Sequence, residues 1–194
     1  MNGSTPHAIM MAMKTVGIIL SGGQGTRVDG ADKGLLPWRK TTRIESVISA
    51  LRPQVDCLLI SCNRNIDRYS TLGYPLVQDQ LPGFQGPLAG IAAALERTEC
   101  DVAVVVPCDC PEPAADLAMR LVDALESHGA QLSYAHDGNR NQYLFTAMRV
   151  ACLESLHDYL ATGQRSVQGW HRVLDCIAVD FSDRAADFSN FNSP

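Results

Sequence analysis

The run Val102–Pro107 constrains the fold of this chain more than any other segment. Its sequence, VAVVVP, is an unbroken series of small and β-branched apolar residues, so neither face of a strand formed here is suited to water. Strands of this kind are typical of parallel sheets that carry helices on both faces. The segment therefore predicts a central strand of an α/β protein, and the polar residue Asp109 follows it closely.

Other apolar runs of strand length alternate with helix-like segments along the chain, which favours βαβ units and a mostly parallel sheet. A capping box at residues 42–45 begins a helix that ends by Arg52. Pro87 is suited to the first turn of another helix. The further predicted strands are residues 16–20, 57–61, 74–78, 131–135, 143–147 and 176–180, and the further helices are residues 88–97, 113–127 and 150–160.

Composition narrows the class of protein. Of 194 residues, 46% are hydrophobic and 19% charged, which is typical of a globular enzyme, and the net charge of -5 excludes wrapping of nucleic acid. The seven scattered cysteines indicate reduced, core or near-core thiols in a cytoplasmic protein. Residues 1–13 lack the features of a signal peptide or membrane span, and we expect a disordered leader there, followed by a single domain over residues 14–194.

A glycine-rich loop follows the first predicted strand. It reads SGGQGTR over residues 21–27, and DKG follows at residues 32–34. Glycines let backbone N–H groups approach an anion, while Arg27 and Lys33 supply positive charge. A P-loop is excluded because Gly34 follows Lys33, and a dinucleotide fingerprint is excluded because Val28 stands at its third glycine. The pattern predicts a different nucleotide phosphate site, with a surface turn carrying incidental basic residues as the alternative.

Two aspartates follow other predicted strands. Asp79 comes after residues 74–78, and Asp109 comes after Val102–Pro107. Because ligands of open α/β sheets bind at the carboxyl ends of strands, we expect both carboxylates near the glycine loop. Asp109 is the better candidate for holding Mg²⁺ beside phosphate oxygens, and capping of the helix near Pro113 is its alternative role. For Asp79 the alternative is a turn residue.

Several segments together resemble the molybdenum cofactor guanylyltransferase family. They are LSGGQGTR at residues 20–27, DKGL at 32–35, GPLAG at 86–90, PCDCP at 107–111, VDFSD at 179–183 and FSNFNSP at 188–194. The resemblance implies a three-layer, Rossmann-like nucleotidyltransferase fold. It also implies transfer of GMP from GTP to molybdenum-molybdopterin, with release of pyrophosphate and with Mg²⁺ as cofactor. Molybdenum insertion proteins or molybdoenzymes are the implied partners, and no nucleic acid or membrane is expected.

The resemblance also implies roles for single residues. Lys33, Asp109 and Arg27 would be catalytic, and Asp109 would bind the metal. Asn190 and Asn192 would lie near the pterin substrate or close the site. Ser61 and Asn63 are rivals for one nucleotide contact near the end of the second strand. The implied nucleotide-binding residues are Leu20, Ser21, Gly22, Gly23, Lys33, Ser61, Asn63, Asp79, Gly86 and Asp109.

The chain departs from the family pattern within the glycine loop. Ser21 stands where alanine is usual, and Val28 and Asp29 replace a Met-Gly pair. Two other function classes therefore stay open at this point. One is a nucleotidyltransferase of different specificity, either a cytidylyltransferase or a sugar-phosphate enzyme. The other is a non-catalytic nucleotide-binding protein.

Overall fold

The structure, a computed structural model, describes residues 13–22, 32–79 and 86–188. Its strands in chain order are β1 Thr15–Leu20, β2 Pro37–Trp38, β3 Thr41–Thr42, β4 Cys57–Ser61, β5 Leu76–Val77, β6 Val102–Pro107, β7 Leu132–His136, β8 Asn141–Arg149 and β9 Cys176–Asp180. Seven of them form a sheet in the order β5-β4-β1-β6-β8-β7-β9, and β2 pairs with β3 in a small hairpin.

Helices cover both faces of the sheet. They are α1 Arg43–Leu51, α2 Ile66–Ser70, α3 Pro87–Leu95, α4 Leu117–Ser127, α5 Leu153–Ala161 and α6 Val167–His171, with 3-10 turns at Lys33–Leu35, Arg52–Gln54, Val150–Cys152 and Ser182–Phe188. One core cluster packs α1 and α4 against the sheet, and a second packs α3, α5 and Trp170 against the opposite face. This confirms the predicted three-layer α/β fold. In the described ranges, no helix has the length and apolarity needed to cross a membrane.

The direction of the strands places a crevice beside β1. This strand pairs in parallel with both β4 and β6, and β4 pairs in parallel with β5. The chain passes from β1 to β4 on one side and later to β6 on the other, so the strand order reverses at β1. In open α/β sheets such a switch point leaves a ligand crevice at the carboxyl ends of the strands. Strand β8 is antiparallel to β6 and β7, so the sheet is mostly, not wholly, parallel.

Several predicted bounds are confirmed and others need correction. β4, β6 and β9 have the predicted ends, β6 is buried throughout, and the capping box of α1 is formed by Thr42 and Glu45. β5 is shorter than expected, whereas β8 runs on to Asn141 and Arg149 because it is paired on both sides. The helix predicted from residue 150 begins as a 3-10 turn. The short β2–β3 hairpin, α2 and α6 were not predicted.

Helix α4 begins at Leu117, later than the predicted start at residue 113. The physical reason is a contact with the 3-10 turn after α1. The Gln54 side chain donates to the Ala114 carbonyl at 3.0 Å and accepts from the Ala118 N–H at 2.9 Å. Gln54 thus satisfies a backbone donor that a helix leaves open in its first turn. Asp109 lies well before this helix, so the helix-capping role considered for it is wrong.

All seven cysteines are free thiols. Cys62, Cys108, Cys110 and Cys152 are buried, and Cys100 and Cys176 are half-buried, which agrees with the expected core or near-core positions. Cys57 is the exception, because it is exposed at the start of β4.

A buried histidine makes stability depend on pH. His171 is only 4% exposed, it packs against the rings of Tyr134 and Tyr143, and burial lowers its pKa to about 4. The unfolded chain therefore takes up the proton first, since an ordinary histidine titrates near pH 6.5. Above pH 6.5 we expect titration of His171 to have no effect on the free energy of unfolding. At about pH 5 we expect it to lower that free energy by about 2 kcal/mol.

Urea unfolding at several pH values tests this expectation. His171→Phe keeps an aromatic ring but cannot titrate, so it should remove this part of the loss between pH 6.5 and pH 5. His128→Gln, at an exposed histidine, should keep the parent's pH dependence. Equal pH dependence in the parent and His171→Phe would contradict the assignment.

Candidate active site

The strands that precede the three predicted loops end side by side. In the sheet register Leu20 lies beside both Ser61 and Pro107, and Ser61 lies beside Val77. Two backbone hydrogen bonds continue this side-by-side arrangement beyond the ends of the strands. The Ser21 N–H donates to the Ser61 carbonyl at 2.7 Å, and the Cys108 N–H donates to the Leu20 carbonyl at 3.0 Å. The ends of β1, β5 and β6, from which the three loops continue, thus lie at one edge of the sheet, as predicted.

Lys33 and Asp109 meet across this edge. The Lys33 Nζ lies 2.9 Å from Asp109 Oδ2, and the two side chains are 25% and 19% exposed. Lys33 belongs to the 3-10 turn Lys33–Leu35, whereas Asp109 follows β6. The sequence separation of 76 residues shows that only folding brings them together. A cation and a carboxylate that both retain access to solvent can rearrange toward an incoming phosphate.

The turn that carries Lys33 is held by Asp32. The Asp32 Oδ1 accepts from the Gly34 N–H at 3.1 Å and from the Tyr69 hydroxyl at 2.7 Å, and Oδ2 accepts from Asn65 Nδ2 at 2.9 Å. Its side chain is only 6% exposed. The Arg64 guanidinium also approaches it at 3.8 Å. A carboxylate with this many partners fixes the residue next to Lys33 in one position.

Tyr69 connects this turn to the end of β1. Its oxygen lies 2.5 Å from the Ser21 hydroxyl, and its own proton is donated to Asp32. Ser21 must therefore donate to Tyr69, because a phenol has a single proton. Burial is the main reason that the pKa of Tyr69 lies far above its ordinary value, which keeps the phenol a donor. The side chain of Ser21, and not its backbone alone, thus takes part in the local structure.

Gly34 is required for this close approach. A Cβ atom at this position would collide with the Ser21 hydroxyl and the Tyr69 hydroxyl. The glycine of the DKG segment therefore has a packing role as well as any role in binding. Sequence reasoning did not single out Tyr69, Asn65 or the carboxylate of Asp32. Only the position of Asp32 before the lysine offered a signal.

Asn63 and Asp79 form a second pair near the glycine loop. The Asn63 Nδ2 donates to Asp79 Oδ2 at 2.7 Å, and the Asp79 N–H donates to Asn63 Oδ1 at 3.0 Å. A Cβ on Gly22 would lie 3.1 Å from Asn63 Nδ2, so the pair borders the loop directly. Ser61 is different, because it is buried to 2% exposure below helix α3.

Helix α3 begins at this edge as well. Gly86 precedes it with a φ of 82°, a left-handed conformation that favours glycine, and Pro87 is its first residue as predicted. Further along, a Cβ on Gly90 would collide with the Ser61 hydroxyl. The two glycines of the GPLAG segment therefore serve different needs, one for the turn and one for close packing of α3 on β4.

Gly90→Ala tests this packing. In an unconstrained helix the change would add stability, by about 1 kcal/mol. Here the added methyl overpacks the contact with Ser61, and we expect the free energy of unfolding to fall by about 1–3 kcal/mol. Urea unfolding measures the change. In a Ser61→Ala background the hydroxyl is absent and the loss should shrink, whereas an equal loss in both backgrounds would contradict the contact.

Cys110, the residue after Asp109, contacts the last described segment. The Cys110 thiol donates to the Asp187 carbonyl at 2.7 Å, which holds the turn Ser182–Phe188 against the Asp109 loop. A cavity of about 240 Å³ lies between this turn and the β7–β8 loop, lined by Asp137, Asn139, Arg140, Ala185 and Phe188. The segment after β6 therefore contacts both the turn that carries Lys33, through Asp109, and the turn that borders this cavity, through Cys110.

Comparison with known proteins identifies the family. Residues 17–176 match the MobA-like NTP transferase domain. A molybdenum cofactor guanylyltransferase from Pasteurella multocida is 42% identical over 176 residues, which cover 91% of this chain and 93% of that protein. One from Shewanella woodyi is 38% identical over 184 residues, covering 95% and 94%. The chain belongs to the molybdenum cofactor guanylyltransferase family.

Members of this family are nucleotidyltransferases, as the family description and the names of the relatives state. The fold agrees. A molybdopterin-guanine dinucleotide biosynthesis protein A from Archaeoglobus fulgidus superposes with a TM-score of 0.76, covering 92% of this chain and 93% of that one at 20% identity. The guanylyltransferase family does not favour the cytidylyltransferase, sugar-phosphate or non-catalytic alternatives.

The guanylyltransferase motifs extend beyond the part of the chain that the structure describes. Gly23 and Arg27 of the glycine loop and Asn190 and Asn192 of the last segment lie outside the described residues. Lys33, Asp109, Leu20, Ser21, Gly22, Ser61, Asn63, Asp79 and Gly86 lie within them and share one edge of the sheet. The binding and catalytic roles expected of all these residues stay predictions.

Asp109 is suited to a metal that binds together with substrate. Among the described residues no group of three or more histidine, cysteine, aspartate or glutamate side chains could hold a metal ion by itself. Mg²⁺ does not need such a cage, because it is commonly bound by one or two carboxylates, waters and substrate phosphates. The partly exposed Asp109 carboxylate beside Lys33 fits that donor set.

Proposed function

We propose that this protein transfers GMP from GTP to molybdenum-molybdopterin, giving molybdopterin guanine dinucleotide cofactor and pyrophosphate. The observation that carries the proposal is the Lys33–Asp109 pair, 2.9 Å apart at the switch point of the sheet. Lys33 offers a positive charge to phosphates, and the adjacent Asp109 offers a hard oxygen ligand to a divalent metal. The membership of the guanylyltransferase family supports guanine as the base.

The nucleotide half of the site would lie between the glycine loop and helix α3. Leu20, Ser21, Gly22 and, beyond the described residues, Gly23 would offer backbone groups to GTP. Asn63 is a better candidate than Ser61 for a side-chain contact, because Ser61 is covered by α3 while Asn63 borders Gly22. Asp79 is held by Asn63 and would contact the nucleotide together with it. Gly86 would let the chain turn closely around the bound nucleotide.

The acceptor half would lie on the other side of Asp109. The cavity between the β7–β8 loop and Ser182–Phe188 is lined in part by Phe188, the last described residue, and Asn190 and Asn192 follow shortly after it in sequence. We assign the pterin substrate to this side, where it would approach the α-phosphate of GTP from the face opposite the leaving group. An in-line displacement needs the acceptor and the leaving group on opposite faces of the α-phosphorus, which this arrangement of the two substrates would allow.

The chemical step needs positioning and charge neutralisation more than covalent help from the protein. The terminal phosphate oxygen of molybdopterin attacks the α-phosphorus of GTP, one phosphorus–oxygen bond forms, and the bond to the β-phosphate breaks. Lys33 would leave Asp109 for the phosphate oxygens, and Arg27 would add a second positive charge. Asp109 would hold Mg²⁺, which when bound supplies charge to neutralise the phosphates.

A direct assay tests the proposal. The protein is mixed with GTP, Mg²⁺ and molybdenum-molybdopterin, and both pyrophosphate and the dinucleotide product are measured. We expect both products with GTP and a much lower yield with CTP. GTP binding without release of pyrophosphate would overturn the proposal in favour of a nucleotide-binding protein, and preferential use of CTP would overturn the choice of base.

Tyr69→Phe tests whether the turn that carries Lys33 must be held in place. The variant loses the hydroxyl shared by Ser21 and Asp32. We expect kcat/KM for GTP to fall by about tenfold, since small misplacement of a positioned group can cost that much or more. In a Lys33→Ala background the same change should cost little, because nothing remains to be positioned. Equal losses in both backgrounds would indicate a structural role only.

The cellular context follows the same proposal. We place the protein in the cytoplasm, in agreement with its seven free thiols. Molybdenum insertion proteins or molybdoenzymes are the proposed recipients of the product, since a dinucleotide cofactor serves an enzyme only after delivery. Co-purification of the product-bound protein with a molybdoenzyme would support direct delivery. Absence of co-purification would contradict direct delivery between the two proteins.

A further inference from the structure

Two cysteine thiols meet at the amino-terminal edge of the sheet, opposite the candidate active site. Cys57 is the first residue of β4, and Cys100 lies shortly before β6. Their sulfur atoms are 3.4 Å apart and share a hydrogen bond. Cys57 is exposed and Cys100 is half-buried, so a small reagent can reach the pair from solvent.

The backbone on both sides of the pair is held to the start of β1. The Asp56 N–H donates to the Thr15 carbonyl at 3.1 Å, and the Asp56 carboxylate accepts from the Thr15 N–H at 2.7 Å. In the same way, the Asp101 N–H donates to the Lys14 carbonyl and its carboxylate accepts from the Lys14 N–H, both at 2.9 Å. Each cysteine thus adjoins an anchored aspartate, and the two thiols stay opposite each other.

We propose that Cys57 and Cys100 are a thiol modification site that closes to a disulfide on reaction with a disulfide oxidant such as glutathione disulfide. A disulfide requires sulfur atoms about 2.05 Å apart, so the 3.4 Å separation must shorten. The proposal requires that rotation of the two side chains about their Cα–Cβ bonds supplies this movement. The proposal does not depend on the function proposed above.

The reaction proceeds by two thiol–disulfide exchanges. The Cys57 thiolate attacks one sulfur of the glutathione disulfide, forms a mixed disulfide and releases one glutathione thiolate. The Cys100 thiolate then attacks Cys57 Sγ, forms the internal disulfide and releases the second glutathione. The two protein thiols lose two electrons and two protons in total, and one glutathione disulfide receives them and becomes two molecules of reduced glutathione.

The surroundings of Cys57 determine how the rate depends on pH. Although Cys57 as a whole is exposed, partial burial of its thiol and the hydrogen bond with Cys100 raise its pKa to about 11, the Asp56 carboxylate adds to this, and the Arg52 guanidinium opposes it. Only the thiolate attacks, so well below this pKa the first step should accelerate by about tenfold per pH unit. The reaction of this pair with glutathione disulfide should therefore be slow at neutral pH.

The disulfide would close a ring that contains β4, α2, β5 and α3. A cross-link of this span removes conformational freedom from the unfolded chain. We expect Tm to rise by roughly 5–10 °C in the oxidised protein and to return to its starting value with dithiothreitol.

Peptide mapping of the oxidised full chain tests the proposal. The protein is incubated with glutathione disulfide near pH 9, its remaining thiols are alkylated, and the digest is analysed without reduction. We expect a peptide linking Cys57 to Cys100. Cys57→Ser and Cys100→Ser should each abolish it, with a lasting glutathione adduct on Cys57 in the second variant. Cys176→Ser, which removes another half-buried thiol, should retain the link.

Three outcomes would overturn the proposal. They are a lasting glutathione adduct on Cys57 in the parent protein, a link between other cysteines, and recovery of both thiols unmodified. Because mapping of the parent protein decides among these outcomes, poor folding of a serine variant does not affect the test. None of these measurements involves GTP or molybdopterin, so a failed transfer assay leaves this result standing.

Discussion

Asp109→Asn is expected to lower the rate of GMP transfer by on the order of 10²–10³ while the fold stays intact. The amide has nearly the shape of the carboxylate but lacks the negative charge that would hold a divalent metal and attract Lys33. The Lys33 side chain is 25% exposed, so water can solvate its ammonium group when the charge of Asp109 is lost. Steady-state pyrophosphate release at increasing Mg²⁺ measures the effect.

Glu112→Gln is the matched control for Asp109→Asn. Glu112 lies on the same segment after β6, but its carboxylate pairs with Arg39 at 2.8 Å. This variant should transfer GMP at the parent's rate. Asp109→Asn with a near-parent rate at saturating Mg²⁺ would contradict the role assigned to Asp109.

Lys33→Ala is expected to lower the transfer rate by a similar factor, on the order of 10²–10³. Its ammonium group would neutralise charge that grows on the phosphates as pyrophosphate leaves, so kcat should fall and KM for GTP should rise. The turn itself should persist, because its hydrogen bonds come from Asp32 and Gly34 and not from the lysine side chain. Initial rates over a range of GTP concentrations separate the two effects.

Lys40→Ala provides the control for Lys33→Ala. Lys40 is an exposed lysine in the turn between β2 and β3, and its removal should leave both kcat and KM unchanged. The Lys33→Ala, Asp109→Asn double variant should lose less than the product of the single losses, because the two side chains are in contact. Strictly multiplicative losses would indicate that the two residues act independently.

Local sequence patterns were sufficient for much of the fold. The strands β4, β6 and β9 were predicted because each is a short apolar run bounded by polar or proline residues. Helix α1 was predicted because Thr42 and Glu45 satisfy each other's backbone donors within a few residues. Such signals depend only on residues that are close in sequence, so they can be recognised without the tertiary structure.

Elements that depend on distant partners were predicted less well. The start of α4 is determined by Gln54, which lies 64 residues before Ala118 in sequence. The length of β8 reflects pairing with β6 on one side and β7 on the other, and no pattern within its own residues indicates where that pairing ends. Propensity yields to tertiary contacts in both cases.

The candidate site divides in the same way. Lys33, Asp79 and Asp109 were identified as candidates because each follows a strand or lies within a glycine-rich motif. Tyr69 was missed because it lies 37 residues from Asp32, on a short helix without a recognisable motif. The participation of the Ser21 hydroxyl was likewise invisible, since it depends on that same phenol.

The sequence by itself determined the layers of the fold, the family and the side of the sheet where ligands can bind, because these follow from local periodicity and from motifs at strand ends. Only the tertiary structure decided that Lys33 lies 2.9 Å from Asp109 and that Asp32 and Tyr69 hold its turn. The physical reason is that hydrogen bonds and ion pairs require contact, and contacts between distant residues exist only once the sheet has assembled.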